Sequence, residues 1–153
     1  MKSIHVECLP DEALVKKLGF TRKMVTHHSG KSRVFQKLGK VSNHLAMVDE
    51  DDPLGPKSNY ERNLIRESEA HGIVLFRDNE GNRIFQLKVK LENWIIEQCK
   101  VSGISPRDFG LPVAANEMHD VVNQRISSFE KLIDDLLTKN NPGILYLKKS
   151  LSS

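Results

Sequence analysis

Apolar and polar positions along the chain switch between two periods, and the switches mark its elements. Ser3 to Cys8 is short and β-branched and predicts a strand with Glu7 near its C-terminal end. Pro10-Asp11-Glu12 opens a helix, with Pro in the first turn and acids where the macrodipole favours them. Leu14, Val15 and Leu18 form its inward face and Gly19 its stop. A short strand is expected at Met24 to His27. Ser29-Gly30 then turns the chain into a helix over Lys31 to Leu38, with Val34, Phe35 and Leu38 inward. His44 to Val48 reads as a buried strand, and it runs directly into Asp49-Glu50-Asp51-Asp52. This β-α-β-α-β order predicts a parallel sheet with crossover helices. In such a sheet the C-terminal strand ends share one edge, where ligands bind. Topology alone can therefore bring Glu7 and Asp49 together, although they are far apart in sequence.

Asp52 to Ser58 is a turn-rich loop beside the acids. Asn59 to Ala70 is predicted as a polar helix with Leu64 and Ile65 inward. His71 to Phe76 is a strong strand, Asp78 to Asn82 a tight turn, and Arg83 to Leu87 the returning strand of a hairpin. Leu91 to Val101 is a helix carrying Leu91, Trp94, Ile95 and Cys99. After a loop over 102–112, His119 to Lys139 is predicted as one long helix. Val122, Ile126, Phe129, Ile133 and Leu136 recur in it at spacings of four, three, four and three. Asn140-Asn141-Pro142-Gly143 stops it, and Ile144 to Leu151 forms a short final helix. The fold class expected is α/β: a mostly parallel central sheet flanked by helices, with a helical C-terminal part. The chain is expected to be a single domain over 1–153, with an α/β core in 1–90 and a helical extension in 91–153.

Length and composition add limits. At 153 residues, 39% hydrophobic and 28% charged, the chain is ordinary for one globular domain. Cys8 and Cys99 have no metal-type partner nearby, which fits a reducing compartment. The N-terminus leads into a strand with no apolar leader, and no apolar run approaches the ~20 residues of a membrane span. A cytoplasmic protein without membrane contact is expected. Net charge is only +3, but it is unevenly placed. No Asp or Glu occurs from Ala13 to Val48, whereas eight basic residues do: Lys16, Lys17, Arg22, Lys23, Lys31, Arg33, Lys37 and Lys40. A basic surface beside an acidic tip suits a polyanion held against a metal.

The acids carry the clearest chemistry. Glu7 with Asp49 and Asp51, at adjacent strand ends, can hold Mg²⁺, a hard ion that prefers oxygen. Asp11, one helical turn beyond Glu7, is a further ligand. Glu50 is expected to point the other way, and Asp52 to belong to the Pro53 turn. Gly30-Lys31-Ser32 is not a P-loop, because Val25 stands where that motif needs its first Gly. His27-His28 point two ways in an extended chain and make no zinc pair. His5 and His44 are expected to be structural strand residues, and His71 and His119 caps. Glu92 is assigned to its helix terminus in preference to the metal. No interleaving of aromatic with basic residues supports base stacking.

Glu7 and Asp11 four residues apart, Asp49-x-Asp51 after a later strand, and Gly30-Lys31 between them resemble the Toprim domain of the OLD-type (overcoming lysogenization defect) nucleases. The resemblance runs over roughly residues 3 to 80. Leu91-Glu92-Asn93-Trp94 is similar to a Leu-Glu-x-Trp segment of some small Toprim-like proteins. One departure is Cys8, where that family usually has Gly. The resemblance implies a Mg²⁺- or Mn²⁺-dependent nuclease, cutting or transferring at a phosphodiester of DNA or RNA. Glu7 and Asp11 would hold one metal, Asp49 and Asp51 the same or a second one, and Lys31 would contact phosphate. It also implies work with a separate ATPase in phage defence. The alternative is the same fold with a degenerate site, serving as a binding or regulatory subunit. A receiver-like domain fits less well, because the first strand offers a single Glu and no Lys follows Ile73 to Phe76. The Gly72 to Leu87 hairpin is expected to offer an edge for a homodimer.

Overall fold

The computed structural model describes residues 2–153. Six strands form one sheet: β1 (Ile4–Val6), β2 (Val25–His27), β3 (Leu45–Asp49), β4 (Ile65–Ala70), β5 (Ile73–Arg77) and β6 (Arg83–Leu87). Their spatial order is β2-β1-β3-β6-β5-β4, and β2, β1, β3 and β6 run parallel. β5 runs antiparallel to both its neighbours. Among the described residues seven helices accompany the sheet: α1 (Leu9–Lys17), α2 (Lys31–Leu38), α3 (Asn59–Arg62), α4 (Leu91–Ser102), α5 (Ala115–Val121), α6 (Ile126–Thr138) and α7 (Pro142–Ser152). The chain is thus α/β, with a mostly parallel sheet between helices and a helical C-terminal part.

The pleat sorts side chains between two cores. Ile4, Val6, Met47, Phe85 and Leu87 pack on one face with residues of α1, α4, α6 and α7, so this larger core draws on the chain from Ile4 to Leu151. Ala46, Val48 and Ile84 face the other way, against Val34, Phe35 and Leu38 of α2. β3 is covered on both faces, and that is why Leu45 to Val48 is a continuous apolar run.

Local chemistry sets the helix ends. Pro10 begins α1, with Asp11 and Glu12 in its first turn and Lys16 and Lys17 in its last. Gly30 caps α2 at a φ of +107°, a conformation a side chain disfavours. The Asn141 side chain accepts from the Ile144 N–H at 2.9 Å and opens α7 behind Pro142.

Two predicted helices are corrected. Asn59 to Ala70 is helical only to Arg62, where Ser58 and Glu61 close a capping box. Ile65 to Ala70 is instead the edge strand β4, hydrogen-bonded to β5, and Ile65 is exposed rather than inward. Left-handed His71 and Gly72 make the tight turn between the two strands, so His71 is a turn residue and no cap. The charges of Arg66, Glu67 and Glu69 suit an edge that must not template other strands. The long helix over His119 to Lys139 breaks into α5, a 3-10 turn at Val122–Gln124, and α6. Arg125 leaves helical geometry there and its guanidinium donates to the Gly110 carbonyl at 2.7 Å. The break lets Met118, Val122 and Phe129 all reach the same core. The hairpin offers no free edge, because β3 and β4 flank it; the sheet's edges are β2 and β4.

One buried polar residue ties the far edge together. Asn82 is fully buried. Its Oδ1 accepts from the His44 N–H at 2.8 Å, and its amide donates to the carbonyls of Leu38 and Val41 and to Asp78 Oδ2. Asp78 also accepts from the Tyr60 hydroxyl at 2.7 Å. Asn82→Ala strands several buried partners at once and is expected to cost about 2–4 kcal/mol in urea unfolding. An unchanged midpoint would refute that role.

Candidate metal centre

Parallel pairing of β1 with β3 sets Val6 beside Met47, so Glu7 and Asp49 emerge side by side at the same sheet edge. The Asp49 N–H donates to Glu7 Oε2 at 2.7 Å. The Glu7 N–H donates in turn to Asp11 Oδ2 at 3.3 Å, which draws the first turn of α1 onto the strand tip. Asp11 is 1% exposed, and its Oδ1 has no partner. On the other side, Asp49 Oδ1 accepts from the Leu91 N–H at 3.0 Å and so anchors the start of α4.

That anchor brings in a further acid, one expected from its position to serve the helix terminus. Glu92, next along α4, is 4% exposed, and its Oε2 is buried without a partner. Its charge is close enough to push up both Glu7 and Asp49. Its other oxygen, Oε1, lies 2.8 Å from His119 Nδ1, so His119 is no cap. The missing signal was the pairing of β6 with β3. Once β6 is the parallel neighbour of β3, the helix that follows β6 must begin at the acid edge.

Electrostatics follow from this crowding. Burial pushes Asp49 up to about 7, helped by Glu7, Glu92 and Asp51. Burial likewise raises Glu7 to about 6, with Asp51 and Glu92 adding and the Asp49 N–H and Lys31 opposing. Asp11 is raised well above the ordinary carboxylate range, by burial first and then by Asp49. Cys8, at the position noted above as a departure, is driven upward by burial and then by Asp11; it is a neutral thiol and no nucleophile.

Asp51 sits differently from expectation. β3 ends at Asp49, and Asp51 lies beyond it in a left-handed conformation (φ +60°), exposed. It is therefore not the next same-face residue of the strand. It stays close enough to raise its neighbours, and its N–H donates to the Val89 carbonyl at 2.8 Å. Asp52 does belong to the Pro53 turn, accepting from the Leu54 N–H. Lys31, at the start of α2, donates to the Glu50 carbonyl at 3.3 Å and lies 3.9 Å from Glu61. Beside it is a cleft of about 490 Å³ lined by Lys31, Phe35, Tyr60 and Glu61, among others. Phe35 and Tyr60, far apart in sequence, meet there with ring centroids 5.2 Å apart.

As the side chains stand, no three His, Cys, Asp or Glu among the described residues form a closed metal-ligand set. The donor chemistry nevertheless fits a hard divalent ion: only carboxylate oxygens, two of them buried and unpaired, in a group of like charges. His5 on β1 links two histidines that lie just outside β2 and β3. His5 Nδ1 lies 3.0 Å from His28 Nε2, and His5 Nε2 lies 2.8 Å from His44 Nδ1. No family model matches the chain, and no curated protein and no solved structure matches it either.

Proposed function

We propose that the chain is a Mg²⁺- or Mn²⁺-dependent phosphodiester hydrolase, a nuclease of the Toprim-like kind that its motifs resemble. One observation carries this reading: Glu7, Asp11, Asp49 and Glu92, from separate elements, are packed at one sheet edge with two carboxylate oxygens unpaired. Buried like charges of this kind are costly unless a proton or a cation neutralises them. Glu7, Asp49 and Glu92 would hold the ion, with Asp11 behind them and Asp51 reaching in from the loop. Bound there, Mg²⁺ supplies charge neutralisation on the phosphodiester and a water of lowered pKa. Lys31 and the first turn of α2 face the same edge and hold phosphate. The cleft beside Lys31 takes the adjoining part of the strand. A separate ATPase and a role in phage defence in the cytoplasm belong to the proposal on the resemblance alone. No helix among the described residues is long and apolar enough to cross a membrane.

The test is incubation of the purified chain with single- and double-stranded DNA and RNA in Mg²⁺ or Mn²⁺, with EDTA as control. Cleavage that needs metal is the expected result. If nothing is cut and neither metal raises the melting temperature, the catalytic reading fails. Lys31→Ala, which removes one phosphate contact, is expected to weaken nucleic-acid binding about tenfold. It should also lower the salt slope by about one. Both are read by fluorescence anisotropy in Ca²⁺, and unchanged binding would place the phosphate elsewhere.

A further inference from the structure

Among the described residues, His119 is the one side chain of α5, α6 and α7 that bonds to an acid of the site. Its ring is largely open to solvent, with a side-chain exposure of 59%, yet Nδ1 reaches the buried Glu92 Oε1 at 2.8 Å. A carboxylate oxygen accepts, so Nδ1–H donates. α5 has little freedom to withdraw: Met118, the preceding residue, is fully buried in the main core, and so is Val122. The start of α4 is equally fixed, by the bond from the Leu91 N–H to Asp49. A groove of about 280 Å³ opens over the pair, lined by Lys90, Glu92, Asn93, Asn116, His119 and Asp120. Glu92 is buried, with one oxygen clamped and the other unpaired, and its charge is felt by both Glu7 and Asp49.

We infer that His119 is a positioning residue for the cation site. It fixes the Glu92 side chain so that Oε2 is presented to the acid pair, and it makes the helical extension part of that site. The inference rests on the metal reading above. A free Glu side chain gives up rotamer freedom when it takes a ligand, and a histidine that already holds one oxygen removes most of that loss. Partners of this outer kind change metal affinity about 10–100-fold.

The experiment is calorimetric titration of the full chain with Mn²⁺ alone. It compares wild type, His119→Ala, His119→Asn, Glu92→Gln and the double variant Glu92→Gln/His119→Ala, with melting curves in EDTA for each. His119→Ala should weaken Mn²⁺ binding 10–100-fold. His119→Asn, whose amide N–H can replace Nδ1–H, should recover most of it. The double variant should bind no more weakly than Glu92→Gln, because the histidine acts only through that carboxylate. Wild-type binding with His119→Ala within twofold of it overturns the role of His119 and leaves the metal reading standing. So does a loss in both His119 variants that follows their melting temperatures. A wild type that binds no Mn²⁺ overturns the metal reading, and this inference with it.

Discussion

Asp49→Asn is expected to abolish metal-dependent cleavage while leaving the metal-free protein at least as stable as wild type at pH 8. Asp49 is pushed up to about 7 by burial, then by Glu7, Glu92 and Asp51. Holding it ionised at pH 8 costs the fold on the order of 2–4 kcal/mol. The amide of Asn carries no charge but keeps an oxygen for the Leu91 N–H that Asp49 Oδ1 now accepts. A group raised on folding stabilises most below its unfolded value near 3.8 and loses that contribution as pH climbs through its folded value. The advantage of Asn should therefore be absent at pH 4 and full above pH 7. Loss of a metal ligand is worth several kcal/mol at the transition state, so cleavage should drop by about three orders of magnitude or more. The shift of melting temperature by Mn²⁺ should disappear with it. Melting curves from pH 4 to 8.5 in EDTA, paired with cleavage assays, check both halves. A variant that cleaves normally, or one markedly less stable at pH 8, would show that Asp49 is held for the fold and not for a cation.

The histidine chain should act with the opposite sign. His5 is 1% exposed, and its pKa is lowered to about 4, by burial first and then by His28, His44 and Lys37. A neutral imidazole has one N–H and one lone pair, so His5 donates to one neighbour and accepts from the other. A protonated His5 would turn both nitrogens into donors between two half-buried histidines. The unfolded chain takes up that proton near 6.5 and the folded chain only near 4. Stability is thus intact above pH 6.5 and is lost progressively down to pH 4, by about 3 kcal/mol at most. The acid cluster gains stability over much of the same window, because Glu7 and Asp49 titrate near 6 and 7. In wild type the two slopes oppose, and a shallow pH profile is expected. Asp49→Asn should unmask the loss from His5. His5→Leu should unmask the gain from the acids, with stability rising as pH falls. Urea unfolding from pH 4 to 7 reads both. If both variants keep the wild-type profile, neither cluster governs the acid response.

The first half of the fold was legible because its signals are local. Pro10 with its acids, Gly30 at a positive φ, and the apolar run Leu45 to Val48 each state a helix start, a turn or a strand buried on both faces. The two misread helices failed for non-local reasons. Ile65 to Ala70 has a composition that a helix accepts equally well, and pairing with β5 decided for a strand. The periodicity of Val122 to Leu136 is real: Val122, Phe129, Ile133 and Leu136 are buried and Ile126 is partly so. Continuity was given up at Arg125 so that α5 could turn onto the core.

The site divides the same way. Acid types and their order along the chain, together with the parallel topology, were enough to place Glu7 and Asp49 at one edge with Asp11 one helical turn beyond Glu7, because a right-handed β-α-β crossover leaves little choice. Three things required the folded chain. Asp51 left the strand by turning to a positive φ, with its N–H on the Val89 carbonyl beyond β6. Phe35 and Tyr60 met beside Lys31 across a loop. Glu92 joined the acids, and His119 joined Glu92, once β6 paired with β3 and α5 packed on α4. The amino-acid order by itself thus determined the sheet edge and its charge, since both follow from short-range pattern and chain handedness. Which distant side chains complete that edge was decided only by tertiary structure, because burial and pairing are settled between segments and no local pattern encodes them.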